Sequence, residues 1–356
     1  MQHTREEQTP LVFIHGIKGA HLEDGRGRRA WVDPSCALPW PRRSLGLPLG
    51  WTGEGQDRDG LRPLGPVHGV AGTRVYGPFL DWIAGTSRRP LAAFAYDWRR
   101  DNRESAARFV EFLEELSAAH GGRSLQVVAH SMGGLISLAA LHARPALFRG
   151  LLFAGVPFGT GVGFLPDMHQ GVRTGLNSSL LSVAAHFSFV SPYCFFPTDP
   201  SRSELQSADG RAIEHDWYDP EHWEREGFSV FHPRSGVRPS AGHRLHLRRA
   251  LQAARGFRRN LQGREDLSYP PVAVLRSSVH PTIAGLVRGG PESVRNWDSV
   301  SVPALPGDGR VRATDSLPPP ECPCQLFETA REHGELLSDL PVVGRALAWL
   351  EAQATA

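Results

Sequence analysis

The sequence predicts an α/β fold, a mainly parallel sheet with helices on both faces and an inserted cap. Three observations lead there. Short apolar runs rich in β-branched residues alternate with segments of helical spacing, β-α-β-α-β, between Leu91 and Val156; such alternation builds parallel sheets. One of these runs, Leu125 to Ala129, breaks into His130-Ser131-Met132-Gly133-Gly134 and passes into a helical pattern from Leu135 to about His142. Beyond Pro157 the alternation stops, and it resumes at Val272.

Taken in order, Leu11 to His15 is a buried strand that ends in Gly16-Ile17-Lys18-Gly19. Residues 20–75 lack regular periodicity and hold Trp31, Trp40 and Trp51, which suggests a lid-like loop or an acyl-binding wall. Tyr76 to Gly85 reads as a short helix, and Leu91 to Tyr96 as a strand closing in Asp97-Trp98-Arg99-Arg100. Phe109, Val110, Phe112, Leu113 and Leu116 recur at helical spacing, so Arg103 to about His120 is an amphipathic crossover helix. Gly150 to Val156 is the next strand. From Pro157 to about Glu265 the chain is rich in aromatics and proline, and carries a basic helix with Leu247, Leu251, Ala254, Phe257 and Leu261 on one face and arginines on the other. Strands at Val272 to Leu275 and Gln325 to Glu328 and a final helix from Pro341 to about Ala352 complete the pattern. The domain reading is therefore a core in two parts, 1–156 and 266–356, around a cap at 157–265.

The 356 residues are 40% apolar and carry 39 basic against 37 acidic side chains, a net charge near +2. That balance gives no reason to expect nucleic-acid binding. Lys18 is the one lysine; the other basic residues are arginines. The four cysteines, 36, 194, 322 and 324, are too few and scattered for a disulfide framework. Cys322-Pro-Cys324 lacks metal-site spacing, while Cys36 with Cys194 is a pairing to consider in an exported protein. Met1 to Pro10 is polar and no apolar run reaches about 18 residues. The expectation is a cytoplasmic protein as the sequence stands, or a secreted one if a signal has been removed. Oligomeric state is not legible.

The chemistry centres on Ser131. A serine on a strained strand-to-helix turn projects its hydroxyl from the sheet, and small residues two before and two after, here Ala129 and Gly133, keep strand and helix apart. The plainer reading makes Ser131 a helix N-cap. A serine hydroxyl needs a base and an orienting carboxylate. Asp308, in a glycine-flanked turn, and His333, between a late strand and the last helix, come in the required order; Asp315 and His280 are their rivals. The backbone N–H groups of Ile17 and Met132 are the candidate oxyanion donors. Gly16 belongs to that loop, and His15 and His130 shape the site rather than act as base. This chemistry calls for no metal and no cofactor.

Four motifs in order resemble the lecithin:cholesterol acyltransferase-like lipases and acyltransferases of the α/β-hydrolase fold: Gly16-Ile17-x-Gly19-x-x-Leu22, Ala95-Tyr96-Asp97-Trp98-Arg99, Ala129-His130-Ser131-Met132-Gly133-Gly134, and Gly307-Asp308-Gly309-x-Val311 with His333. Trp-Tyr-Asp-Pro at 217–220 with Trp223 adds a weaker match in the cap. The resemblance implies Ser131 as nucleophile, Asp308 as acid, His333 as base, and Ile17 and Met132 as oxyanion donors. Lys18 and Arg310 depart from the family pattern and bear on acyl-group and acceptor preference. The expected activity is serine-dependent hydrolysis of carboxylic esters, with an ester or lipid as substrate. The alternatives are a phospholipase or acyltransferase that passes the acyl group to an alcohol or lipid, and a catalytically silent binding protein. The basic cap helix suits transient contact with a lipid surface, although a solvated arginine face is the commoner explanation.

Overall fold

The computed structural model describes residues 10–38, 43–49, 59–70, 73–86 and 89–354. Six strands form the central sheet: β1 (Leu11–Ile14), β2 (Leu91–Phe94), β3 (Leu125–His130), β4 (Phe148–Ala154), β5 (Val272–Arg276) and β6 (Gln325–Glu328). Their order is β6-β5-β4-β3-β1-β2, and every pair is parallel. The inner strands are mostly apolar because both faces are covered, and period two divides their side chains between them. Val12, Ile14, Val127, Ala129, Leu151, Phe153, Val272 and Val274 join one core. Leu11, Phe13, Val128, Leu152, Ala154, Ala273 and Leu275 join the other.

The first core is shared with α2 (Asn102–Ala119) and α3 (Met132–Ala143), the second with α1 (Gly77–Thr86) and the C-terminal helix Leu340–Ala354. The predicted α/β-hydrolase layering is therefore present. Helix α2 starts where Asp101 accepts the Arg103 N–H at 2.9 Å, a side-chain cap for the free N–H groups of the first turn.

Residues 20–75 depart from the expected irregular loop. Ala20–Asp24 pairs antiparallel with both Arg29–Trp31 and Leu61–Pro66. Register shifts and proline break the alternation that reveals a strand in sequence. Trp40 and Trp51 lie outside the described residues. Trp31 is buried and donates its indole N–H to the Lys18 carbonyl at 2.8 Å.

The cap is assembled from short turns around an aromatic cluster in which Trp217 stacks on Phe196 at 4.6 Å and Trp223 donates to the Trp217 carbonyl at 2.7 Å. Its long helix, α4 (Ala241–Arg259), buries Leu247, Leu251, Ala254 and Phe257, as the spacing predicts. Arg258 departs from the expected arginine face. It turns inward and donates to the carbonyls of Phe158 at 2.8 Å and Pro157 at 3.2 Å, which ties the cap to the exit of β4. Leu205–Gln206 of this segment pairs in parallel with Leu286–Val287, which follow residue 265. The four cysteines are unpaired, so Cys36 and Cys194 form no bridge.

Tyr96-Asp97-Trp98-Arg99 is the junction of these parts. Arg99 is fully buried and binds Asp97 through Nε at 2.9 Å and Nη2 at 2.6 Å. It also donates to the Leu45 carbonyl, and its own carbonyl accepts the Val190 N–H at 2.7 Å. Trp98 donates to the Ala20 carbonyl at 3.2 Å. A buried charge pair is tolerated when its remaining donors are satisfied in this way, and here it clamps both additions to the sheet.

Six buried imidazoles are held neutral. Burial pushes His15, His169 and His246 down to about 4, and His130, His186 and His215 down to about 3. Above the ordinary value of about 6.5 such groups leave stability unaffected. Below it the unfolded chain takes up protons that the folded chain cannot, so stability falls as pH drops from about 6.5 to 4, by up to about 1.4 kcal/mol per pH unit for each histidine. Urea midpoints are expected to agree at pH 8 and 7 and to fall steeply below pH 6; equal midpoints at pH 7 and 5 would contradict this.

Candidate active site

Strand β3 runs into Ser131, whose backbone sits at φ 53° and ψ −129°, and α3 begins at the next residue. A non-glycine residue held in the left-handed region is strained, and surrounding contacts must fix it. The Ser131 N–H donates to the Ala154 carbonyl at 2.9 Å. Close packing explains the small neighbours: a Cβ at Gly133 would stand 2.4 Å from the His15 carbonyl oxygen, and one at Gly16 would stand 2.7 Å from Ser131 Cβ. Ala129 is buried and takes the place of a glycine without conflict. Ser131 makes no side-chain cap hydrogen bond to α3, so the N-cap reading does not hold.

Its hydroxyl instead lies 2.9 Å from His333 Nε2, and His333 Nδ1 lies 2.8 Å from Asp308 Oδ2. Asp308 Oδ1 accepts the N–H groups of Arg310 at 2.9 Å and Val311 at 2.7 Å, which leaves Oδ2 for the imidazole. The His333 N–H returns to the Asp308 carbonyl at 2.8 Å, so the two loops are joined through backbone as well. Burial acts to raise the Asp308 pKa, but the imidazole and the two N–H groups outweigh it and hold the carboxyl below its usual range. The rivals lie near the site but are engaged by other partners. His280 binds the Ala330 carbonyl at 2.8 Å, and Asp315 is paired with Arg312.

The supporting residues form a directed chain. The Gly16 N–H donates to the Tyr76 hydroxyl at 3.0 Å, and that hydroxyl lies 2.8 Å from His130 Nδ1. His130 Nε2 is 2.8 Å from the His333 carbonyl, an acceptor, so Nε2 carries the proton and Nδ1 accepts from Tyr76. Burial, with the neighbouring His333, keeps this imidazole neutral at a pKa of about 3. His15 donates from Nδ1 to the Gly16 carbonyl at 2.8 Å and stacks on Tyr96 at 4.3 Å. Both histidines thus hold the loop after β1 against the elbow. Tyr76 escaped the sequence reading, and its link exists because β1 and β3 are neighbours, with Ile14 opposite Ala129. Tyr76→Phe leaves two buried groups unpaired, at a cost of about 1–3 kcal/mol; a urea midpoint unchanged from the parent would contradict the link.

Ser131 and His333 face a cavity of about 310 Å³. Ile17, Trp31, Val67, Val70, Phe164, Phe195 and Ile283 form its apolar walls, with Lys18, Asp167 and Arg310 as a polar corner. Met132 is the first residue of α3, where the helix supplies no carbonyl for its N–H. Among the described residues, no group of three or more His, Cys, Asp or Glu side chains is placed to hold a metal ion. No described helix is long and apolar enough to cross a membrane.

The parallel six-stranded sheet with helices on both faces is an α/β-hydrolase fold. A family model described as lecithin:cholesterol acyltransferase matches residues 70–148, which include Tyr96 to Arg99 and Ser131. Lecithin-cholesterol acyltransferase-like 4 of Arabidopsis thaliana is 29% identical over 163 residues, 36% of this chain and 29% of that protein. An uncharacterized protein of Saccharomyces cerevisiae is 20% identical over 408 residues, 96% of this chain and 61% of that protein. The chain thus spans less than two thirds of either relative. Among solved structures, the mature Bacillus licheniformis lipase BlEst2 superposes with a TM-score of 0.40 at 13% identity, covering 98% of this chain and 95% of that one. A marine microorganism esterase gives 0.37 at 11% identity, covering 97% and 96%. The chain is thus similar to lecithin:cholesterol acyltransferases over residues 70–148, the stretch that holds two of its four motifs.

Proposed function

We propose that this protein hydrolyses carboxylic esters through an acyl-enzyme on Ser131. The observation that carries the reading is the unbroken series of contacts from the Ser131 hydroxyl through His333 to Asp308, at 2.9 and 2.8 Å. Ser131 Oγ attacks the ester carbonyl while His333 Nε2 takes its proton. The imidazolium, held by Asp308, then returns a proton to the leaving alcohol. The N–H groups of Ile17 and Met132 bind the oxyanion, with the N-terminus of α3 adding its positive dipole end. Water attacks the acyl-enzyme with His333 again as base, which frees the acid and Ser131. The apolar walls around Trp31, Phe164 and Phe195 suit an acyl chain.

A second reading, acyl transfer, draws on the family match at residues 70–148. It differs only in the acceptor, an alcohol or lipid in place of water.

The test is hydrolysis of p-nitrophenyl esters from two to sixteen carbons by the parent and by Ser131→Ala. Activity in the parent that vanishes in the variant is the expected result, and equal activity in both would refute the assignment. Product analysis with a phospholipid and an added alcohol separates the two readings: free fatty acid alone excludes transfer.

A further inference from the structure

The Ile17 N–H, a candidate oxyanion donor, shares one peptide plane with the Gly16 carbonyl. A trans peptide sets these two groups on opposite sides, so whatever holds the carbonyl aims the N–H. The Gly16 carbonyl is held twice: it accepts the His15 Nδ1 proton at 2.8 Å and the Gly19 N–H at 3.1 Å. Its own N–H is fixed by the Tyr76 hydroxyl at 3.0 Å. The Ile17 N–H has no acceptor among the described residues, and Ile17 lines the cavity that Ser131 faces. Packing explains the glycine at 19. A Cβ there would stand 2.8 Å from the Gly16 carbonyl oxygen and 2.9 Å from both His15 Cβ and the Tyr76 hydroxyl. His15 is fixed in turn by Tyr96, the first residue of Tyr-Asp-Trp-Arg. The Tyr96 N–H donates to His15 Nε2 at 3.3 Å, the Tyr96 hydroxyl donates to the His15 carbonyl at 2.9 Å, and the two rings stack with 5° between their planes. A ring nitrogen that accepts carries no proton, so the proton of the neutral imidazole sits on Nδ1, where the Gly16 carbonyl takes it up. Burial lowers the His15 pKa to about 4 and so keeps the ring neutral.

We propose that His15 and Tyr96 are positioning residues for the hydrolytic reaction: together they lock the Gly16–Ile17 peptide with its N–H aimed at the oxyanion before substrate binds. The proposal deepens the ester-hydrolase reading and rests on it. A donor already in place needs no reorganisation when charge develops on the carbonyl oxygen, so it favours the tetrahedral intermediate over the ester. Without the Nδ1 donor the Gly16 carbonyl keeps only the Gly19 N–H, at 3.1 Å, and the peptide is free to tilt. The loss then falls on the transition state, while the apolar walls continue to bind the ester. Tyr-Asp-Trp-Arg thus has two duties: Arg99 clamps the additions to the sheet, and Tyr96 sets the His15 tautomer.

The test compares His15→Asn with His15→Gln. The Asn amide places its nitrogen near the position of Nδ1 and still donates to the Gly16 carbonyl. The longer Gln amide reaches the position of Nε2 and meets Tyr96, but leaves the Gly16 carbonyl without its side-chain donor. The readouts are kcat and KM on a p-nitrophenyl ester, and inhibition by a trifluoromethyl ketone. Ser131 Oγ adds to the ketone carbon, its proton passes to His333, and the carbonyl electron pair becomes an oxyanion, so inhibition reports the oxyanion donors. His15→Gln is expected to lower kcat by about 10²- to 10³-fold and to weaken the ketone by a similar factor, with KM within about threefold of the parent. His15→Asn should stay within about tenfold of the parent in both. Equal losses in the two variants, a change in KM alone, or a His15→Gln rate within about tenfold of the parent overturns the proposal. Nitrogen-15 NMR of the folded parent reads the tautomer directly: a protonated Nδ1 on His15 at neutral pH is expected, and a protonated Nε2 overturns the proposal even where neither variant folds. A parent inactive on every ester refutes the hydrolase reading and takes this proposal with it. An active parent beside an equally active His15→Gln refutes the proposal alone.

Discussion

Ser131→Ala is expected to lower the turnover of an activated ester by about 10⁴- to 10⁶-fold. The methyl group preserves shape at a position where volume is tightly constrained by Gly16 and Gly133, so the fold should persist. What disappears is the oxygen placed 2.9 Å from His333 Nε2 in the wall of the cavity. Residual rate should come from substrate binding and the oxyanion donors, which still favour the tetrahedral intermediate over the ester. A steady-state comparison with the parent, with matching circular dichroism spectra, decides it. Retention of more than about a hundredth of the parent rate would mean that another nucleophile acts.

Asp308→Asn is expected to cost about 10⁴-fold in turnover with little loss of stability. The reason lies in the two oxygens. Oδ1 accepts the N–H groups of Arg310 and Val311, so in the amide the oxygen must stay there and the NH₂ must face His333. Nδ1 then becomes the acceptor and the imidazole proton moves to Nε2. That nitrogen can no longer receive the Ser131 proton, although every atom is in place. The checks are kcat and the denaturant midpoint measured together. Activity within tenfold of the parent would show that Asp308 does not set the tautomer.

The elbow at Ser131 is legible because strand, turn and helix are contiguous around it, and each leaves its own local pattern. Asp308 and His333 were legible only through chain order, and it took the sheet to separate them from Asp315 and His280. Strands β5 and β6 bring both loops to the edge where β3 ends, a relation no local spacing records. Tyr76 was read simply as the start of a helix. Its partners are Gly16, two residues past the end of β1, and His130, the last residue of β3, so only the register of β1 against β3 reveals the link. Ala20–Asp24 and Leu61–Pro66 escape the pattern because bulges and proline disrupt their alternation, and the short elements inside the cap because they are too short to show a period. Tyr96-Asp97-Trp98-Arg99 was recognised by resemblance, yet its physical role as a buried clamp emerged from the contacts of Arg99 alone.

The central claim is that Ser131 forms a covalent acyl-enzyme under His333 and Asp308. The most direct measurement is intact-mass and peptide analysis of the parent after exposure to a fluorophosphonate, beside Ser131→Ala and Asp308→Asn. A single adduct on the peptide that contains Ser131, absent from Ser131→Ala and slow to form in Asp308→Asn, is the expected result. No adduct on the folded parent, or one on a different serine, would contradict it.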